Sequence, residues 1–139
     1  LGEKNTYNMP DKYNAIDWNL KHKYNDLVEY YKGLIALRKA HPAFSLGTAE
    51  AVREHLSFID NNNEAAIGFV LDKLEGIDSA KRIVVLMNGS RKAEKFNIPA
   101  GKYKWITDGS EWNVNGMGTL NTKGEIEVPA ITGIILAEF

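Results

Sequence analysis

From Asn62 to the last residue the sequence is a succession of short runs rich in β-branched and aromatic residues: "AAIGFVLD", "RIVVLMN", "EKFNIP", "KYKWITDG", "EIEVPA" and "GIILAEF". The segments between them, "NGS", "PAG", "DGS", "NGMG" and "TKG", contain the residue pairs that hairpin turns favour. Such spacing predicts roughly six or seven strands in an antiparallel sandwich or barrel of roughly 80–100 residues. In "EKFNIP" the alternation of Phe96 and Ile98 with Lys95 and Asn97 puts one face on a core and one on water. "RIVVLM" has no alternation and reads as a central strand covered on both sides.

Before this region the period is different. From Tyr24 to Ala40, Tyr24, Leu27, Val28, Tyr31, Leu34, Ile35 and Arg38 recur at helical spacing. Asp26 and Glu29 come early and Arg38 and Lys39 late, as the helix dipole prefers. The pair His41-Pro42 ends this helix, because a residue before proline is pushed out of the helical region. A shorter helix is predicted at "TAEAVREHL", with Thr48 capping the free amides and Ala49, Val52 and Leu56 on one face. The opening stretch, "LGEKNTYNMPDKYNAIDWN", has neither period and reads like the middle of something rather than a loose chain start. The length of 139 residues suits one domain, or one small domain with part of another.

Composition removes several classes of function. With 17 basic and 18 acidic residues the net charge is −1, so no summed field draws in nucleic acid or an anionic membrane, and neither is expected as a partner. Zero cysteines exclude a disulfide framework, a thiolate metal site and a cysteine nucleophile. The longest apolar runs fall far short of a membrane span. Residues 1–19 carry no hydrophobic signal segment, so any export signal is expected upstream of this chain.

Few of the polar residues fall into a pattern that carries chemistry. His22, His41 and His55 lack metal-ligand spacing and read as helix-surface or helix-end residues. There is no glycine-rich phosphate loop and no Gly-x-Ser-x-Gly elbow. Asp108 with Glu111, and Glu75 with Asp78, lie in turn-like segments and read as solvated turn residues rather than a glycosidase pair. "NGS" at 88–90 matches a glycosylation acceptor, but Asn-Gly is better explained by a turn. No catalytic residue, metal site or cofactor is therefore predicted. Exposed rings of Tyr103, Trp105 and Trp112 would stack on sugars, as in carbohydrate-binding modules, but core packing is the better reading of Tyr103 and Trp105 on one face of "KYKWIT".

Two segments carry a specific resemblance. "NTYNMPDKYNAIDW" followed by "YYKGLIALRKAHPAF" resembles type I pullulanases, starch-debranching enzymes of the α-amylase superfamily (glycoside hydrolase family 13), just after the eighth strand of their catalytic barrel. "TAEAVREHLSF", "VVLMNGSR" and "IPAGKYKWITDG" are similar to that family's C-terminal domain. The resemblance implies a mostly β chain, an antiparallel Greek-key β-sandwich at 44–139 preceded at 1–43 by the last loop and helix of a (β/α)8 barrel. Barrel active sites are built from loops at the C-terminal ends of strands, so the opening stretch becomes a piece of substrate-binding wall. The resemblance places Asn5, Tyr7, Asp11 and Asn14 where the family's eighth loop lines the glucan cleft. Asp11 accepts charge-assisted bonds from glucose hydroxyls, Tyr7 offers a ring and a hydroxyl, and Asn5 and Asn14 either bind sugar or brace the loop. Asp17 and Trp18 are assigned to the start of the helix and to packing.

The resemblance also implies what this stretch lacks. The family's aspartate nucleophile, glutamate acid/base and third aspartate lie on barrel strands four, five and seven, and a retaining mechanism needs two carboxyl groups only about 5 Å apart. The chain alone is therefore expected to be inert. It is read as part of an enzyme that hydrolyses α-1,6 branch points in pullulan, starch or glycogen. The expected partners are an α-glucan bound through the intact enzyme, the remainder of the barrel, and a second copy through the apolar face of the helix at 24–40. A free-standing β-sandwich that binds glucan through Tyr103, Trp105 or Trp112 is the alternative.

Overall fold

A computed structural model describes residues 5–139; the first four residues of the opening polar stretch lie outside the described part. Two compact units follow one another, Leu1–Lys32 and Gly33–Phe139. In the first unit, α1 (Asp11–Asn14) and α2 (Leu20–Lys23) are helices of 4 residues each that bury nothing. A third helix, α3 (Asn25–Ala40), begins in this unit, with Asp26 in its first turn and Arg38 and Lys39 in its last. Its apolar stripe is largely open: Leu27, Tyr31 and Ile35 are each more than half exposed, and the buried positions are Gly33 and Leu37.

The second unit contains the end of α3, a 3-10 turn (Pro42–Ser45), α4 (Ala49–His55) and eight strands among the described residues. Thr48 caps α4 as its sequence predicts, its hydroxyl accepting the Ala51 N–H at 3.1 Å. The strands are β1 (Leu56–Ile59), β2 (Ala66–Leu71), β3 (Arg82–Asn88), β4 (Glu94–Asn97), β5 (Gly101–Thr107), β6 (Thr119–Thr122), β7 (Glu125–Val128) and β8 (Thr132–Glu138). Six form one sheet in the order β1-β2-β3-β8-β5-β6, and β4 pairs with β7 in a second. Every pairing is antiparallel. The mostly β, antiparallel class is the one the turn-punctuated sequence predicts. Two strands go beyond the six segments the sequence marks. β1 is masked by the helical signal that runs up to Leu56, and β6, "TLNT", offers a single strongly apolar residue, Leu120.

Alternation within the strands builds two cores on opposite faces of the large sheet. On the inner face Val70, Val84, Leu86, Ile134 and Leu136 meet Phe96, Ile98, Ile126 and Val128 from β4, β7 and their flanks, with Tyr103 from β5. On the outer face Leu71, Ile83, Val85, Ile106 and Ala137 meet Leu37 and Ala43. Thus Val84 and Val85, adjacent in β3, serve different cores, which is why "RIVVLM" shows no alternation. Turns are closed where the chain demands positive φ: Gly109 at 97° and Gly124 at 123°. Ile131, just before β8, also has φ 51°, a left-handed conformation costly for a β-branched side chain.

Candidate functional site

The residues that the resemblance singles out lie in the first unit, in a tightly turned loop. Asn5 and Asn8 adopt left-handed φ values of 58° and 65°, a conformation asparagine tolerates better than most residues. The Met9 N–H closes a turn on the Thr6 carbonyl at 3.0 Å. Pro10 then presets the backbone for α1, and Asp11 falls in its first turn, where exposed amides favour an acid. Asn14 closes the loop from the far end, its side-chain Nδ2 donating to Thr6 O at 3.1 Å and to Met9 O at 3.0 Å. These bonds give Asn14 a bracing role of the kind its sequence context allows.

Tyr7 stands at the tip with 92% of its surface exposed. Asn5 and Asp11 are exposed too. Among the described residues no hydrogen bond joins the side chains of Asn5, Tyr7 and Asp11 to one another, so they present a phenol, a carboxylate and an amide to solvent from one short loop. Asp17 accepts the Asn19 N–H at 3.0 Å, as expected of a residue before a helix. Trp18 corrects its expected packing role: it is 73% exposed, because α1 and α2 bury nothing and offer it no core. The described residues contain no group of three or more His, Cys, Asp or Glu side chains arranged to hold a metal ion. No described helix is long and apolar enough to cross a membrane.

In the second unit the aromatic residues divide. Tyr103 is fully buried, with its hydroxyl donating to Pro99 O at 2.9 Å, and so presents no ring to a sugar. Trp105 is half-buried against the inner core. Trp112, 40% exposed, rests against Gly33.

The unit also holds a cluster that its sequence conceals. His41 is 2% exposed, and its Nδ1 lies 2.8 Å from Oδ1 of Asp78, whose side chain is fully buried. Asp78 also accepts the N–H groups of Ala80 at 2.9 Å and Ala43 at 3.2 Å. His41 Nε2 faces the Val114 carbonyl at 3.4 Å. Asp78 is thus not the solvated turn residue expected, and His41 is a helix-end residue turned inward. Burial pushes the Asp78 carboxyl up, but the bonds from Ala80, His41 and Ala43 outweigh it and hold the group below its ordinary value. The two residues are separated by 37 positions with no local motif, so the signal is purely tertiary. His22 is exposed in α2, and His55 is bonded at 3.0 Å to the Asp72 carbonyl. Asp108 remains a turn residue, held low by the N–H groups of Glu111 and Ser110 and by the Ser110 hydroxyl.

Asn88, of the "NGS" triplet, is 2% exposed and uses its amide entirely inside the fold. Asn88 is the last residue of β3, and the triplet leaves the strand in a bend held by the Ser90 N–H donating to Asn88 Oδ1 at 2.9 Å rather than in a hairpin turn, since β3 and β4 lie in different sheets.

Comparison with known proteins bears on both units. The family profile described as "Pullulanase, all-beta domain" matches residues 52–111. The pullulanase of Bacillus subtilis (strain 168) is 31% identical over 131 residues, covering 86% of this chain and 18% of its own length. Among solved structures, the pullulanase from Bacillus acidopullulyticus superposes with a TM-score of 0.87 at 29% identity, over 98% of this chain and 16% of its own. That of Anoxybacillus sp. LM18-11, in complex with maltotetraose, gives 0.81 at 30% identity, over 99% of this chain and 19% of its own. The chain therefore spans less than a fifth of the length of each of these relatives. Sequence and fold agree over both units, and the chain is identified as a C-terminal part of a protein of the pullulanase family, carrying that family's all-beta domain.

Proposed function

We propose that this chain serves a debranching glycoside hydrolase that cleaves α-1,6-glucosidic bonds in pullulan, starch or glycogen. The observation that carries this reading is the extent of the likeness. It covers 98% of the chain, and so takes in the opening loop as well as the sandwich, in a relative that is itself a pullulanase. The maltotetraose held by another relative gives the ligand class, a chain of glucose units.

In this proposal residues 1–43 complete the catalytic barrel and residues 44–139 form the accessory sandwich. Asp11 accepts hydrogen bonds from glucose hydroxyls, Tyr7 supplies a stacking face and a hydroxyl, and Asn5 adds an amide. Asn14 holds their loop in shape through its bonds to Thr6 and Met9, and contributes to the cleft from there. The carboxylates that break the bond belong to the rest of the enzyme, and the chain by itself does not hydrolyse glucan. The exposed α3 residues, Leu27, Tyr31 and Ile35, are the surface that meets the remainder of the barrel or, when the chain is isolated, a second copy.

The test is made in the full-length enzyme that carries this chain. Replacing Asp11 or Tyr7 by Ala is expected to lower kcat/KM on pullulan by roughly ten- to a hundredfold, the range for losing a hydrogen bond to a charged group. The melting temperature should not move, because both side chains are exposed. Unchanged turnover in both variants would remove the loop from the substrate cleft. Release of reducing sugar by the isolated chain would overturn its inert role.

A further inference from the structure

Asn-Gly occurs at residues 88–89 and 115–116. Glycine leaves its backbone nitrogen unobstructed by a Cβ, so the side chain of a preceding asparagine is open to attack by that nitrogen. The fold treats the two pairs in opposite ways. Asn88 Nδ2 donates to the carbonyls of Lys92, Val128 and Pro129 at 2.8, 3.1 and 2.9 Å, and its Oδ1 accepts the Ser90 N–H at 2.9 Å. The residue is 2% exposed and is paired in β3 to Ala66 and Thr132 on either side. Asn115 is exposed, and its side-chain amide makes no hydrogen bond among the described residues. Its contacts are made through its main chain alone: its N–H donates to Asn113 Oδ1 at 2.9 Å, its carbonyl accepts from Lys104 Nζ at 3.3 Å, and the following Gly116 N–H donates to Asn113 O at 2.9 Å.

We propose that Asn115 is a site of self-catalysed modification, deamidation through a cyclic imide, and that the fold protects Asn88 from the same reaction. The Gly116 nitrogen, after losing its proton to solvent base, attacks Cγ of Asn115. The N–Cγ bond forms, the Cγ–Nδ2 bond breaks, and Nδ2 takes a proton from water and leaves as ammonia. Water then adds to either imide carbonyl and opens the ring to aspartate or isoaspartate. The Gly116 turn bond must open first, and it lies in a loop of mostly exposed residues, where local fluctuation is enough. Reaction at Asn88 requires the loss of its four side-chain bonds and the unpairing of a central strand.

The product alters its surroundings. A new carboxylate arises next to Lys104, whose Nζ donates to Asn115 O at 3.3 Å. Isoaspartate lengthens the backbone between Val114, whose carbonyl faces His41, and Met117, whose N–H bonds Trp105 O at 2.8 Å.

The experiment holds the protein at mildly alkaline pH, with a parallel sample in concentrated urea, then digests both and follows the two Asn-Gly peptides by mass and by isoaspartate-specific methylation. In the native sample the peptide with Asn115 is expected to convert roughly tenfold or more faster than that with Asn88, and in urea the two should converge. Equal native rates, or an Asn88 rate that urea does not raise, would overturn the proposal. Asn115→Gln, whose longer side chain closes the ring far less readily, should abolish isoaspartate in the 113–117 segment. Its persistence there would assign the reaction to another residue.

Discussion

His41 and Asp78 face each other at 2.8 Å with both side chains buried, joining the end of α3 to the loop between β2 and β3. Removing one partner of a buried pair leaves the other without compensation, so Asp78→Ala is expected to cost roughly 3 kcal/mol in urea unfolding. The pH dependence has a definite sign. The Asp78 carboxyl is held below its ordinary value of 3.8 in the fold. Its contribution is therefore complete above that value and is lost as pH falls through the lower folded value. Unfolding midpoints measured across acidic pH should fall more steeply in the wild type than in Asp78→Asn.

Gly33 sits directly under the indole of Trp112, and a Cβ there would overlap Cε2 and Nε1 and come within 2.6 Å of Cδ2. In an open helix Gly→Ala gains up to about 1 kcal/mol. Here the overlap should reverse the sign, giving a net loss of about 1–3 kcal/mol by denaturant titration. Combining Gly33→Ala with Trp112→Ala should restore the helical gain, which separates steric conflict from any other cause.

Ile131 carries a left-handed backbone with a side chain 69% exposed. Ile131→Gly relieves the conformation and gives up little burial, so a stabilisation of about 1 kcal/mol is expected after the greater chain entropy of glycine is counted. A lowered melting temperature in this variant would show that the turn does not need the left-handed residue.

Asn88→Ala removes a donor from the carbonyls of Lys92, Val128 and Pro129, of which Lys92 O keeps the Ser90 hydroxyl at 2.8 Å. A loss of roughly 3 kcal/mol is expected, and Asn88→Asp should not rescue it, because a carboxylate cannot donate to carbonyl oxygens.

Local patterns carried most of the fold. The helix at 24–40, the Thr48 cap and the inward sides of β4 (Phe96) and β5 (Tyr103) follow from spacing alone, since each is a matter of neighbours along the chain. β6 was illegible because its stability comes from pairing with β5, with Tyr103 opposite Leu120, and hardly from its own composition. The His41–Asp78 pair was illegible for the same reason on a longer scale: a turn aspartate and a helix-end histidine look solvated until the sheet brings them together. The opening loop is the reverse case. Its residues are recognisable by motif, while its local bonds explain only Asn14 and leave Tyr7 and Asp11 facing outward.

The two-sided burial of β3 has one further consequence. A strand with an apolar face and a polar face resists slipping, because a shift of one residue would expose its core side chains. From Ile83 to Leu86 that safeguard is absent, since both faces are apolar. Alignment must instead come from the strand's two polar ends. Arg82 is tied to Asp72 and Glu138 at 3.0 and 3.1 Å, and Asn88 is fixed by its amide bonds. The greasy middle supplies cohesion, and the two terminal residues tell the strand where to stop.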